Sequence, residues 1–182
     1  MKTPTDVLRD EHGLILRGLD VLETAAGRLE AGQEPPDGWW EDALDWLRSF
    51  ADRTHHAKEE DLLFPAMIRA GLPSAGGPID VMLEEHERGR ALVRAMSVST
   101  GAARAAAARE YVALLRAHID KENEVLFPLA DAVLADDEQR ALGQSFATAA
   151  VTLGREASFG YAEAVIEGLG AELAALRLVG AS

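Results

Sequence analysis

The residues whose types and spacing stand out in this sequence are histidines and glutamates at helical spacing. Two segments place a histidine four residues before a glutamate, as His55–Glu59 and His118–Glu122. Two further histidines, His12 and His86, stand apart from these pairs. Residues four apart in a helix project from one face, so each pair can reach the same ion or two adjacent ions. Imidazoles and carboxylates without thiolates suit iron or manganese, with zinc as an alternative.

The two pairs lie inside an internal repeat. Residues 55–65 read HHAKEEDLLFP and residues 118–128 read HIDKENEVLFP, and their ungapped alignment keeps His, Lys, Glu, Leu, Phe and Pro in register. Two helices that carry this repeat should present the same surface to a shared centre. The repeat therefore predicts pseudo-twofold symmetry about that centre.

Glycine and proline divide the chain into helices. The predicted long helices cover residues 5–29, 39–70, 78–97 and 102–134, and residues 136–179 predict two or three more. Strictly alternating β-branched runs are absent, so we expect an all-α fold. Four long helices with short links predict an antiparallel up-down four-helix bundle over residues 1–135, with a C-terminal helical extension over residues 136–182 packed on it. Pro65 and Pro128 fall inside the second and fourth helices, which we expect them to kink.

Helical phase turns one histidine of each long helix toward the core, because positions three and four apart form one face. The predicted core faces are Leu8, His12, Ile15, Leu19 and Leu22; Ala51, His55, Glu59, Leu62 and Leu63; Ile79, Met82, His86, Gly89 and Val93; and Tyr111, Leu114, His118, Glu122 and Val125. Leu63 and Leu126 lie one turn beyond the glutamates and should seal one side of the site from water. Tyr111 is either a packing residue or a hydrogen-bond donor near the centre.

The fifth histidine, His56, occupies a different phase of the second helix. It shares a polar face with Asp52 and Glu60, and the repeat aligns it with Ile119. We therefore expect His56 to face water and to bind no metal, although its spacing to Glu60 is again four residues.

A single histidine on an apolar face is more often a hydrogen-bonded core residue than a metal ligand. Here all four long helices carry one, and two of them add a glutamate one turn later. Buried polar groups without partners would each cost about 1–3 kcal/mol, and ionised glutamates would cost more. A shared cation removes that cost. The pattern therefore favours a metal centre ligated by His12, His55, Glu59, His86, His118 and Glu122.

Six ligands on four helices are too many for one ion that keeps open positions. They divide into two histidines per ion with Glu59 and Glu122 bridging, which leaves each ion about two of six octahedral positions. We expect two non-haem iron ions joined by an oxo or hydroxo bridge, with manganese or zinc as alternatives. A small diatomic or peroxide ligand would bind at the open position. No sequence feature indicates a pocket for an organic substrate.

The composition excludes several classes of site. The chain has no cysteine, which rules out disulfides, thiolate metal sites and cysteine-ligated iron–sulfur clusters. Its 18 basic residues are outnumbered by 31 acidic ones, so nucleic acid is an unfavourable partner. We find neither a signal peptide nor an apolar run of about 20 residues, and we expect a cytoplasmic protein that does not enter membranes.

These motifs resemble those of a known family. The combination of His12, H-x3-EE-x3-FP, GGPIDVMLEEH and H-x3-E-x4-FP is similar to the hemerythrin-like, or HHE cation-binding, family, over about residues 5–150. Within it, the segment from Gly77 to His86 most resembles the di-iron domain of the repair-of-iron-centres proteins. The resemblance implies a four-helix di-iron fold and the same six ligands. Oxygen-carrying hemerythrins have H-x3-H on the third helix, where this chain has Arg90, so simple oxygen carriage is not implied.

Three functions follow from such a centre. The leading hypothesis is a di-iron protein that binds or reduces O2, peroxide or nitric oxide, and so acts under oxidative or nitrosative stress, with or without enzymatic turnover. The alternative is iron storage or donation, or oxygen and redox sensing. The third is a structural zinc or manganese ion that only holds the bundle closed.

Overall fold

A computed structural model describes residues 2–155 and 158–176 of the chain. The helices are α1 (Pro4–Glu30), α2 (39–69), α3 (Pro78–Val98), α4 (101–133), α5 (Asp136–Leu153) and α6 (Phe159–Ala175). Within these described ranges there is no strand, and the all-α prediction is confirmed. Among the same residues, none of the helices combines the length and the apolar character that a membrane span requires.

Two apolar clusters show that the four long helices alternate in direction. One cluster gathers the start of α1 and α3 with the end of α2 and α4, for example Leu8, Ile79, Leu63 and Leu126. The second cluster lies on the other side of the histidines and contains the opposite ends of the same helices, together with α6. The starts of two helices meet the ends of two others, so the predicted up-down bundle is confirmed.

The winding of α2 and α4 changes beside the histidine–glutamate pairs. In α2, the segments Leu47–His56 and Glu59–Leu63 are π-helical, between α-helical Trp39–Trp46 and Phe64–Arg69. In α4, Glu122–Leu126 is π-helical, between Gly101–Lys121 and Phe127–Val133. Pro65 and Pro128 each lie in the first turn of the α-helix that resumes, where a missing N–H costs little. Each π-helical turn ends just before the Phe-Pro pair, and the kinks predicted at the two prolines stay a prediction.

These π segments change which residues face the core. A π-helix forms i→i+5 hydrogen bonds, so the 3.6-residue period used for the prediction does not hold across it. Val125 was predicted to lie on the core face and is 50% exposed, whereas its neighbour Leu126 is buried. Leu63 is buried in the same way, so the predicted apolar seal beyond the two glutamates is present.

Helix α6 is attached to the bundle by tryptophans. The indole N–H of Trp39 donates to the carbonyl of Leu169 at 3.0 Å, and that of Trp46 donates to Ala162 at 2.9 Å. Gly18 makes room for this contact, since a Cβ there would lie 2.5 Å from the ring of Trp46. The extension from α5 onward is thus packed on the bundle as far as it is described. Its residues 156, 157 and 177–182 lie outside the described ranges, including the predicted helix end at 179, and the boundary at 135 stays a prediction.

Candidate metal centre

All six predicted ligands meet between the two apolar clusters, and none is more than 1% exposed. Glu59 on α2 lies 3.5 Å from Nε2 of both His55 and His86. Glu122 on α4 lies 3.1 Å from Nε2 of His12 and 3.3 Å from Nε2 of His118. Each carboxylate therefore joins imidazoles from two different helices, which is the arrangement that a bridging ligand needs.

Two overlapping groups of donor atoms can each hold a metal ion. One consists of His12, His55, Glu59 and Glu122, and the other of His56, Glu59, His86 and His118. In each group the donor atoms lie within 4.8 Å of one another, and Glu59 belongs to both. Two ions that share a carboxylate fit this geometry.

The prediction that His56 faces water is wrong. Its side chain is only 4% exposed, and its ring stacks on that of His86 with 3.8 Å between the centroids. The reason is the π-helical winding of Leu47–His56, which allows two consecutive histidines, His55 and His56, to point into the same core. The doubled histidine before a glutamate was the only sign of this in the sequence. All five histidines of the chain therefore lie in the centre.

Several atoms of the centre that could bind a metal have no hydrogen-bond partner among the described residues. These atoms are Nε2 of His12, both ring nitrogens of His56, and both carboxylate oxygens of Glu59 and Glu122. Unpaired polar atoms in a dry core are strongly unfavourable. Imidazole nitrogens and carboxylate oxygens are the atoms that iron, manganese and zinc bind. The residues present therefore fit a pair of cations.

The two carboxylates differ in charge. Burial raises the pKa of Glu59 well above its usual value, and the neighbouring Glu122 raises it further. Burial acts on Glu122 too, but His118 and His12 beside it outweigh burial and hold its pKa well below the usual value. Without a cation, these surroundings favour the charged form of Glu122 and the protonated form of Glu59. A cation between them would favour ionisation of both.

The outward-facing nitrogens of two imidazoles are held by matching carboxylate–lysine pairs. Nδ1 of His55 lies 3.0 Å from Glu11, which also forms an ion pair with Lys58. Nδ1 of His118 lies 2.9 Å from Glu85, which pairs in the same way with Lys121. An N–H donated outward leaves the Nε2 lone pair directed at the centre, which is the tautomer that a metal requires.

The other imidazoles are held from across the bundle. Nδ1 of His12 lies 3.0 Å from Oδ1 of Asn123, and Nδ1 of His86 lies 2.6 Å from Glu60. Arg90 donates to Glu60 at 2.8 Å. It also donates to the Asp52 carboxylate at 2.7 and 2.9 Å, and this carboxylate lies 3.5 Å from Nδ1 of His56. Arg90 thus fixes the carboxylates beside two imidazoles.

The sequence revealed only some of the residues that contact the Nδ1 atoms of the histidines. The sequence offers five acidic residues near the ligand histidines as candidate partners, without a choice among them: Asp10, Glu11, Glu85, Asp120 and Glu124. Glu11 and Glu85 have that role, whereas Asp10 pairs with Lys2 at the surface and Asp120 and Glu124 are exposed. Glu60 and Asn123, which contact His86 and His12, were missed. Their equivalent positions in the repeat were the available signal.

Comparison with known proteins decides the family. Residues 3–130 match the hemerythrin HHE cation binding domain, which covers more than half of the chain. The chain belongs to this family. Together with the buried histidines and glutamates, membership of the hemerythrin family identifies a metal-binding protein.

Its relatives carry no functional description. The chain is 28% identical over 153 residues to uncharacterized proteins of Mycobacterium bovis and of two strains of Mycobacterium tuberculosis. The match covers 79% of this chain but only 59% of each relative, so this hemerythrin-family chain spans less than two thirds of the curated proteins that it resembles. No solved structure matches it.

Proposed function

We propose that this protein is a cytoplasmic non-haem di-iron protein that binds or reduces a small oxidant: O2, peroxide or nitric oxide. The observation that carries the proposal is the pair of buried donor groups that share Glu59. Family membership supports iron as the metal.

The proposed ligand set has seven members. His12 and His55 would bind one ion, and His56, His86 and His118 the other, with Glu59 and Glu122 shared between them. The sequence prediction of six ligands is thereby extended by His56. Arg90 follows His86 where oxygen-carrying hemerythrins have a histidine, and His56 on α2 would supply the imidazole that α3 lacks. An octahedral ion with four or five protein ligands keeps at least one position for a small molecule.

The chain's own groups prepare the site for such chemistry. Glu11, Glu85, Glu60 and Asn123 hold the imidazoles with Nε2 toward the centre. The apolar clusters on both sides exclude water. Bound iron would supply a redox-active Lewis acid next to an open position. The carboxylates and imidazoles of the centre are all buried and have almost no contact with solvent.

Metal analysis combined with absorption spectroscopy tests this proposal. Protein purified aerobically and never exposed to chelator should contain about two iron atoms per chain, and its spectrum should change when the reduced form meets O2, peroxide or nitric oxide. A spectrum unaffected by all three would contradict oxidant binding. Loss of one iron to an external chelator within minutes would favour the alternative of iron donation. Zinc at full occupancy, with no iron, would favour a structural ion.

A further inference from the structure

A small cavity adjoins the centre on one side. It has a volume of about 160 Å³ and lies between α2, α3 and α4, with Asp52, His56, Gly89, Arg90, Val93 and Tyr111 in its wall. His56 is the member of the donor cluster that lines it. A molecule held in this cavity would therefore lie beside the second donor group.

Tyr111 leaves a polar group unpaired at this cavity. Its side chain is only 2% exposed, and its hydroxyl forms no hydrogen bond with any residue that the structure describes. A buried tyrosine hydroxyl ordinarily has a partner. Burial raises the pKa of Tyr111, and the nearby Asp52 raises it further, so the hydroxyl keeps its proton and can donate it to an incoming acceptor.

His56 is the second unpaired group. Neither of its ring nitrogens has a hydrogen-bond partner in the described part of the chain, and Asp52 is 3.5 Å from Nδ1. The cavity thus has an unpaired hydroxyl on α4 and, on α2, the imidazole that would bind the metal. Between them there is space that the protein does not fill.

From this geometry we propose that small molecules reach the metal pair through this cavity and are held there by the Tyr111 hydroxyl. The inference rests on the proposed function, since it assumes a metal pair with an open position. The molecule would be a hydrogen-bond acceptor built on oxygen or nitrogen.

The volume limits its size. A cavity of about 150 Å³ can hold a benzene molecule, and one water in the liquid takes about 30 Å³. The cavity here accommodates peroxide, nitric oxide or azide with water to spare, and nothing much larger than a single ring. It provides the pocket that the sequence did not indicate.

Gly89 keeps the passage open. It is buried on α3, and a Cβ added there would lie 3.6 Å from both the Tyr111 ring and Leu115, which is ordinary contact. A methyl group is therefore tolerated, while a larger side chain would extend into the cavity. Because glycine weakens a helix interior by roughly 1 kcal/mol relative to alanine, its presence in α3 is consistent with a need for space.

Stopped-flow binding of azide to the oxidised, iron-loaded full-length protein tests the inference. In Gly89→Leu, azide should bind at least tenfold more slowly, with the wild-type iron content. Gly89→Ala should slow binding less, and it keeps the test valid if leucine lowers the iron content. Gly143→Leu on α5 is the matched control, because nothing lies within 4 Å of a Cβ there. It should bind azide at the wild-type rate.

Tyr111→Phe separates retention of azide in the cavity from its entry. Azide should associate at the wild-type rate and dissociate about fivefold faster, since one hydrogen bond is lost. Nitric oxide should be slowed in Gly89→Leu as azide is, because the obstacle is steric. Equal association rates in wild type, Gly89→Leu and Gly89→Ala would overturn entry through the cavity. An unchanged dissociation rate in Tyr111→Phe would overturn the hydrogen bond from the Tyr111 hydroxyl. If iron-loaded wild type binds neither probe, the proposed function itself fails.

Discussion

The two helical hairpins that build the centre, α1–α2 and α3–α4, are nearly equivalent, and their differences are concentrated at one surface. Each begins with a Glu-His pair, Glu11–His12 or Glu85–His86, and continues with a histidine, a lysine and a glutamate at the same spacing. The shared residues supply the two central carboxylates, Glu59 and Glu122, and the outer ion pairs. The symmetric part of the sequence therefore builds the metal frame.

Positions at which the two repeats differ lie beside the cavity that adjoins the centre. His56 aligns with Ile119, Asp52 with Leu115, and Glu60 with Asn123. On the α2 side these residues form a polar group with Arg90 beside an open cavity, whereas Ile119 and Leu115 are packed in the apolar core. If the proposed function holds, the difference between the two metal positions would come from His56, Asp52, Glu60 and Arg90, with the shared frame unchanged.

The largest expected effect is at the bridging carboxylates. Glu59→Gln and Glu122→Gln should each lower iron from about two atoms per chain to less than one, measured by elemental analysis. Their metal-free forms should differ. Glu59→Gln should stay within about 1 kcal/mol of wild type, since burial favours the protonated form of Glu59, while Glu122→Gln should lose about 1–3 kcal/mol because it removes a charged group beside the imidazoles of His12 and His118. Equal losses in urea unfolding would contradict the assigned charges.

The next effect separates His56 from its counterpart in the repeat. His56→Leu should remove about one iron per chain, because one donor group loses an imidazole while the apolar replacement keeps the volume. Ile119→Ala should cost about 2–4 kcal/mol of unfolding free energy through the cavity it creates, and should keep both iron atoms. Full iron content in His56→Leu would show that His56 is not a ligand.

A smaller effect is expected outside the ligand set. Arg90→Leu frees the carboxylates beside His56 and His86, and should weaken iron binding by about 10–100-fold in a chelator competition. Lys121→Met removes a lysine whose side chain is 41% exposed, so it should change affinity less than threefold. A similar loss in both variants would mean that the outer groups act only through net charge.

The smallest effect is the pH dependence of the metal-free protein. Burial holds the pKa of His55 and His56 well below 6.5, so the unfolded chain binds more protons at low pH and stability should fall as pH drops below 6.5. Burial also acts on His118, but Glu122 outweighs it and raises its pKa. Its contribution is complete below pH 6.5 and is lost as pH rises. Urea midpoints between pH 7.5 and 5.5 should decline less in His56→Leu and more in His118→Gln.

The sequence predicted the frame well, because an amphipathic pattern determines it. Helix limits fell within about two residues of those observed, and all six predicted ligands lie in one buried cluster. The errors at His56 and Val125 have one cause: both lie in π-helical turns, where a 3.6-residue period assigns the wrong face. A π turn depends on how a helix packs and has no simple composition signal.

Contacts between helices were the other limit. Glu11 and Glu85 could be proposed because they precede ligand histidines, although each serves a histidine on a neighbouring helix. Asn123 and Arg90 reach across the bundle, and no spacing along one helix reveals such partners. The cavity was unpredictable for the same reason, since its wall comes from three helices.

The segment between α2 and α3, residues 70–77, joins two hairpins that both contribute residues to each donor group. No donor atom of the centre comes from this joint, and it lies at the end of the bundle away from α6. The chain is therefore organised like two copies of a smaller unit brought together by a tether. Lengthening this segment should therefore leave the donor set of the centre complete.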